Sequence, residues 1–245
     1  MKVLVLGGAG MLGPYVVPLL QDSHDLLVTD ITPLQIEFRG EFRHVDVSNF
    51  EQVMDAAAGM DAIINLSVLR QDRQLAFDVN TTGCYNMMAA AVKHDIRRVI
   101  NTGPHFTVAG PSYEFFDFGL NPDMPSQPGT NLYALTKSLG QEICRLFSEE
   151  YDIYVQTYLF YNFWDPANLP AEHTRHVRPF AISWQNAAQI FGLGLNIALE
   201  ELPSRCEVFN IFTDMPHGQF SNEKAKRILG FEPQDDISTL WRKQR

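Results

Sequence analysis

Residues 1–13 read MKVLVLGGAGMLG, and this stretch decides the fold. Lys2–Leu6 is a short apolar, β-branched run, the pattern of a buried strand rather than of a signal peptide. It passes straight into Gly7, Gly8 and Gly10, then into Met11, Leu12 and Gly13, where a helical pattern begins. A strand, a glycine turn and a helix in that order make a corner that grips phosphate. The glycines let the backbone approach an anion closely, and the helix N-terminus offers it unpaired N–H groups. The spacing is G-x-x-G-x-x-G and not G-x-G-x-x-G, so taken alone it also fits a plain strand-to-helix turn.

The rest of the chain extends the pattern. A second strand at 26–29 ends in Asp30, about where an acidic residue meets the ribose hydroxyls of an adenosine. Residues 31–40 read as a loop and 41–45 as a third strand, ahead of Asp46-Val47. Ser48-Asn49 then caps a helix at 50–58 that Gly59 ends. A fourth strand (61–66) and a polar turn (67–73) precede a long helix at 74–94 that carries Asn80. Its Val79, Cys84, Met87, Met88 and Ala91 read as core packing.

A fifth strand begins at 98–101, and a long loop follows at 102–130, rich in Gly, Pro and aromatics. Long loops in compact domains are functional or disordered, and Phe106, Tyr113, Phe115, Phe116 and Phe118 argue against disorder. A helix at 131–151, a sixth strand at 153–160, a helix at 186–200, a strand at 207–211 and a helix at 221–229 complete the chain. The alternation predicts an α/β fold, a doubly wound parallel Rossmann-type sheet with a small C-terminal cap. Residues 1–162 would bind the nucleotide, and 163–245 would form the cap, interleaved with the last sheet elements.

Composition narrows the partners. No apolar run reaches the roughly 18–20 residues of a membrane helix, so a soluble protein with no membrane partner is expected. A formal net charge of −10 argues against a nucleic-acid partner, which needs a basic surface. Cys84, Cys144 and Cys206 are odd in number and far apart, which suits a reducing, cytoplasmic setting and excludes a disulfide framework. The histidines show no H-x-x-x-H spacing, and no metal site is expected.

Tyr133-Ala-Leu-Thr-Lys137 lies on the helix after the long loop. Residues four apart share a helix face, so phenol and ammonium project to one side. A fixed cation there favours phenolate, and spacing alone assigns that task to Lys137. A tyrosine so tuned exchanges a proton with a secondary alcohol or ketone while a cofactor handles the hydride. The same spacing also fits a packed tyrosine beside a solvated lysine.

With these residues in place the chain resembles the short-chain dehydrogenase/reductase superfamily, in its extended, NAD-dependent epimerase/dehydratase branch. The resemblance rests on Gly7, Gly10 and Gly13, Asp30, Asp46-Val47, Asn65-Leu66-Ser67, Asn80, Tyr133 with Lys137, Tyr161-Asn162, and Val208-Phe209-Asn210. It implies NAD as cofactor, with Asp30 on the adenosine ribose and repelling a 2′-phosphate. It places Asp46 and Val47 at adenine, Leu66 and Ser67 along the cofactor, and Lys137 at the nicotinamide ribose. Met11, Leu12, Asn80, Thr102 and Tyr161 complete the expected cofactor contacts, and a homodimer through the helices at 74–94 and 131–151 is implied.

Two departures bear on the chemistry. The family's serine or threonine after the fifth strand polarises the substrate oxygen, but here the chain reads Asn101-Thr102-Gly103-Pro104-His105-Phe106-Thr107. Thr107, Thr102 or His105 is left to take that role. The chain is also short for a nucleotide-sugar enzyme, with only 163–183 between Tyr161-Asn162 and the next helix. That compact layout is similar to the uronate dehydrogenases, which oxidise a sugar acid. A carboxylate substrate calls for arginine, and Arg70, Arg175 and Arg178 are the candidates, with His105 and Asn162 beside them. The expected activity is hydride transfer between NAD and a secondary hydroxyl or carbonyl of a small sugar or sugar acid. The rival readings are an epimerase or dehydratase that retains its cofactor, and a non-catalytic NAD-binding sensor.

Overall fold

The computed structural model describes residues 1–109, 119–165, 182–214 and 220–235. In chain order, β1 (Lys2–Leu6), α1 (Gly13–Leu20), β2 (Asp25–Asp30), β3 (Glu41–His44), α2 (Phe50–Ala57) and β4 (Ala62–Asn65) come first. Next are α3 (Arg73–Phe77), a π-helical turn (Asp78–Thr82), α4 (Gly83–Lys93), β5 (Arg98–Pro104), α5 (Phe106–Ala109), α6 (Leu132–Glu150) and β6 (Tyr154–Phe160). The last are β7 (Phe163–Trp164), β8 (Ile182–Ser183), α7 (Trp184–Asn196), β9 (Cys206–Asn210) and α8 (Glu223–Leu229).

Seven strands form one parallel Rossmann-type sheet in the order β3-β2-β1-β4-β5-β6-β9. A parallel sheet covered on both faces needs strands apolar on both sides, and Val3 to Leu6 are all fully buried. Their alternation sends Val3 and Val5 to the layer of α1 and α7, and Leu4 and Leu6 to the layer of α2 and α4. The outer edge strand β3 carries exposed Glu41, Arg43 and His44, charges that discourage edge-to-edge pairing. At the other edge buried Glu207 of β9 is neutralised by Lys224 of α8, with Nζ 2.6 Å from Oε2. The strand order reverses between β1 and β4, and the C-terminal ends of those strands open the crevice where such folds bind ligands.

The structure departs from the sequence reading in four places. The helix expected at 74–94 begins at Arg73, capped by the Asp72 side chain, and is interrupted by the π-turn at Asp78–Thr82. One extra residue in a turn leaves the apolar periodicity of the sequence nearly unchanged, so it does not mark the π-turn. The stretch at 102–130 is not all loop: β5 runs on to Pro104 through pairing with β6, and α5 follows. The helix expected at 186–200 starts at Trp184, because Ser183 Oγ accepts the Asn186 N–H (3.1 Å), and ends at Asn196. A small parallel pair, Phe163 with Ile182 and Trp164 with Ser183, lies outside the main sheet, too short to carry any periodic signal. Tyr113, Phe115, Phe116 and Phe118 lie outside the described residues.

Fully buried Tyr158 ties β6 to α7: its hydroxyl donates to Gln156 Oε1 (2.8 Å), and Gln156 Nε2 donates to the Gly194 carbonyl (2.9 Å). Tyr158→Phe strands that buried amide oxygen and is expected to lower unfolding stability by about 1–3 kcal/mol, measured by urea denaturation. A variant as stable as the parent would remove this bond from the account.

Candidate active site

The glycine corner closes on the end of β4. Gly7 has φ +74°, and a Cβ there would lie 2.5 Å from Ser67 Cα and N. A Cβ on Gly13 would lie 1.7 Å from the Gly8 carbonyl oxygen, so helix and strand approach as only glycine permits. No side chain caps α1, Met11 is exposed beside the corner, and Leu12 packs toward the core. Asp30 braces the corner from β2: Oδ2 accepts the Ala9 N–H (2.9 Å) and Oδ1 the Thr32 N–H (3.3 Å). A cavity of about 250 Å³ opens beside it, lined by Gly7, Gly10, Asp30, Val47, Leu66 and Ser67 among others. Asp46 also lines it, with Oδ1 accepting from the Ser48 N–H (2.9 Å) and hydroxyl (2.7 Å).

Helix α6 starts at Asn131, whose side chain accepts the Ala134 N–H. Lys137 is buried, and its Nζ donates to the Ser67 carbonyl (3.1 Å). Burial pushes its pKa below the usual lysine range, partly offset by the thiols of Cys84 and Cys144. Ser67 is itself held: its N–H donates to Asn65 Oδ1 (3.1 Å), Asn65 Nδ2 donates to Asn101 Oδ1 (3.0 Å), and Thr102 Oγ1 donates to the Asn65 carbonyl (2.9 Å). The sequence reading did not single out Asn101 or the Asn65 side chain. The signal available was two asparagines at the C-terminal ends of adjacent strands.

Burial raises the pKa of Tyr133 above the usual phenol range, and the charge of Arg70 opposes that rise. The Arg70 guanidinium carbon stands 5.0 Å from the Tyr133 ring centroid. Helical spacing puts Tyr133 and Lys137 on one face of α6, with the Lys137 ammonium seated on the Ser67 carbonyl.

Asn80 holds the loop after β4. Its Nδ2 donates to the Leu69 carbonyl (2.6 Å) and to Thr136 Oγ1 (3.0 Å), while Oδ1 accepts the Leu69 N–H (3.0 Å). Both amide protons are committed to the protein, so Asn80 shapes the cleft wall at Leu69 instead of lining the cavity. Thr107 is buried on α5, its hydroxyl donating to the Pro104 carbonyl (3.1 Å). His105 is 1% exposed, edge-on to Tyr161 with ring centroids 4.0 Å apart and packed near Phe220 at 5.6 Å. The Asn162 carbonyl accepts the Ile182 N–H (2.9 Å), which seats it at the start of the small strand pair. Arg175 and Arg178 lie outside the described residues. Among the described residues no three His, Cys, Asp or Glu side chains gather as a metal site.

Residues 3–194 match the NAD dependent epimerase/dehydratase family. The chain belongs to this family. It is 32% identical over 122 residues to a 3-beta-hydroxysteroid dehydrogenase of Mycolicibacterium neoaurum, a match covering 44% of this chain but 33% of that relative. It is 24% identical over 255 residues to an NAD-dependent glucose-6-phosphate dehydrogenase of Haloferax volcanii, covering 96% of this chain and 93% of the relative. The uronate dehydrogenase structure from Agrobacterium tumefaciens superposes with a TM-score of 0.81 at 20% identity, over 97% of this chain and 86% of that one, which shows a shared fold.

NAD is the cofactor of this family, and the residues present fit it. The corner has no room for a Cβ at Gly7 or Gly13, α1 has no capping side chain, and the Asp30 carboxylate lines the cavity with acceptor capacity to spare. Gly7→Ala is expected to lower NAD affinity by at least about tenfold, because it strains a positive φ and pushes Ser67 out of place. Titration of NAD against tryptophan fluorescence reads the change, and unaltered affinity would mean that the corner does not carry the cofactor.

Proposed function

We propose that the protein is an NAD-dependent oxidoreductase acting on a secondary hydroxyl or carbonyl of a small sugar or sugar acid. The observation that carries this reading is Tyr133 and Lys137 on one face of α6, with Lys137 seated on Ser67 at the ligand-binding end of the sheet. Gly7, Gly10, Met11, Leu12 and Gly13 would hold the pyrophosphate of NAD, Asp30 the adenosine ribose, and Asp46 and Val47 the adenine. Leu66, Ser67, Thr102 and Tyr161 would lie along it, and Lys137 at the nicotinamide ribose. When bound, NAD supplies the hydride acceptor or donor.

The chain's own residues then manage the proton. Tyr133 takes it from the substrate hydroxyl on oxidation and returns it on reduction. Thr107 or His105 orients the substrate oxygen, and Asn162, Arg175 and Arg178 contact the rest of the substrate. A sugar or sugar acid is supported by the near full-length match to a sugar-phosphate dehydrogenase and by the short span between β6 and α7, which offers little chain to enclose a nucleotide diphosphate.

Absorbance in the NADH band, with NAD or NADP and a panel of uronic acids, aldoses and sugar phosphates, tests the reading. Growth with NAD on one of these is the expected result. Growth with NADP alone would overturn the role of Asp30. A flat trace with tightly bound cofactor would favour an epimerase or dehydratase, and a flat trace with exchangeable NAD a sensor. Tyr133→Phe is expected to cut turnover by about 10²–10⁴-fold. Burial keeps the proton on Tyr133 at neutral pH, so the base form gains population as pH rises and oxidation should climb toward alkaline pH in the parent. Full turnover in Tyr133→Phe would sink the mechanism.

A homodimer is proposed on the outer face of α4 and α6, where Tyr85, Leu139 and Leu146 are exposed beside Tyr151. Sedimentation should give twice the mass of the 245-residue chain, and a monomer at micromolar concentration would refute it. The buried, unpaired thiols of Cys84 and Cys144 support a reducing, cytoplasmic compartment, and the net charge of −10 counts against nucleic acid.

A further inference from the structure

Residues 120–127 lie between the C-terminal elements of the fold and the helices α5 and α6, and both ends of the run are tied down. At one end Leu120 pairs with Phe220 in a parallel bridge, and the Ser221 N–H donates to the Leu120 carbonyl (3.2 Å). At the other end the Thr107 carbonyl accepts the Gln127 N–H (2.9 Å) and the Ser126 hydroxyl (2.9 Å). Ser126 also shares a hydrogen bond with the Ser138 hydroxyl of α6, next to Lys137. Along the run Leu120 packs with Phe212 and Phe220, and Met124 and Tyr161 lie against them. His105 is edge-on to Tyr161, Phe212 and Phe220, with ring centroids 4.0, 6.3 and 5.6 Å away. The run is a strap across the segment that carries His105 and Thr107.

Lys224 of α8 holds the middle of this strap. Its side chain is 12% exposed, with Nζ 2.6 Å from Oε2 of buried Glu207 and 5.2 Å from the centre of the Phe209 ring. The same ammonium pairs with Asp123 of the strap, whose side chain is 65% exposed. Asn121 Oδ1 accepts the Asp123 N–H (3.0 Å), a local turn that presents the carboxylate. An isolated surface pair contributes little, because two long side chains must be ordered to make it. Here Glu207 and Phe209 have already ordered the lysine. Lys224 therefore has separable duties. Neutralising Glu207 keeps β9 and α8 together, whereas pairing with Asp123 fixes the strap, and loss of Asp123 leaves no buried charge unpaired.

We propose that Asp123 and Lys224 are positioning residues, which hold the Thr107 backbone and the packing around His105 through the strap and so set the group that orients the substrate oxygen. This rests on the reading of Thr107 or His105 in that role. Misorientation of a bound substrate slows the chemical step without weakening binding, so the effect falls on kcat and not on KM.

The test uses the full chain. Hydrogen exchange followed by NMR reads the amides of Gln127 and Ser221, which flank Asp123. NADH formation from NAD with glucuronic acid and with glucose 6-phosphate gives kcat and KM. Asp123→Ala should speed exchange at Gln127 by about three- to tenfold, more than an isolated surface pair would give, and leave the amides of β1 and β4 unmoved. It should lower kcat by a similar factor with KM unchanged, and Asp123→Glu should recover both. Lys224→Met alone strands Glu207, so it is paired with Glu207→Gln, and that double variant should reproduce the exchange and kcat of Asp123→Ala.

Unmoved exchange at Gln127 in Asp123→Ala would overturn the proposal. So would faster exchange with kcat unchanged, or with a raised KM as the only kinetic defect, since the strap would then not position the reacting group. The exchange measurement needs no turnover. Faster exchange in a protein that forms NADH from neither sugar would keep the clamp on Thr107 and count against the dehydrogenase reading instead.

Discussion

The approach of Gly7 to the backbone of Ser67 is the constraint on which the site depends. It occurs where the strand order turns back on itself, so the ends of β1 and β4 must come together without a side chain between them. Ser67 then serves three neighbours at once. Its α-carbon and nitrogen form the floor under Gly7, its N–H is held by Asn65, and its carbonyl receives the ammonium of Lys137. The glycine corner and α6 are joined through one residue. A shift of a few tenths of an ångström there would move both.

Burial sets the electrostatics of the pair on α6. A lysine removed from water holds its proton less firmly, and a tyrosine removed from water holds its own more firmly. The two shifts run in opposite directions, and each favours the uncharged form of its group. The carbonyl of Ser67 keeps the lysine charge in place, and the guanidinium of Arg70 opposes the effect of burial on the phenol.

Much of this was legible in the sequence, for a physical reason in each case. The sheet could be read because parallel strands covered on both faces must be continuously apolar, as Val3 to Leu6 and Ala62 to Ile64 are. The glycine corner could be read because only glycine survives at Gly7 and Gly13. The cap at Asn49 could be read because its side chain must satisfy an orphan N–H of α2. The π-turn could not be read, since one extra residue in a helical turn leaves the apolar pattern nearly unchanged. The commitment of Asn80 to Leu69 and Thr136 was hidden for the same reason, because a residue's partners across 11 and 56 positions are set by packing.

By itself, then, the sequence determined the doubly wound sheet, the phosphate-gripping corner, the acidic residue at the end of β2 and the presence of a tyrosine and a lysine on one helix face. These follow from local rules: which residues tolerate a positive φ, which periodicity buries which face, and which side chains cap a helix. Only the tertiary structure decided that Arg70 lies over the Tyr133 ring, what holds Lys137, and that His105 and Thr107 sit deep in the protein. Those depend on where loops from distant strands converge. A charge acts through distance in space and through its burial, and no spacing along the chain encodes either.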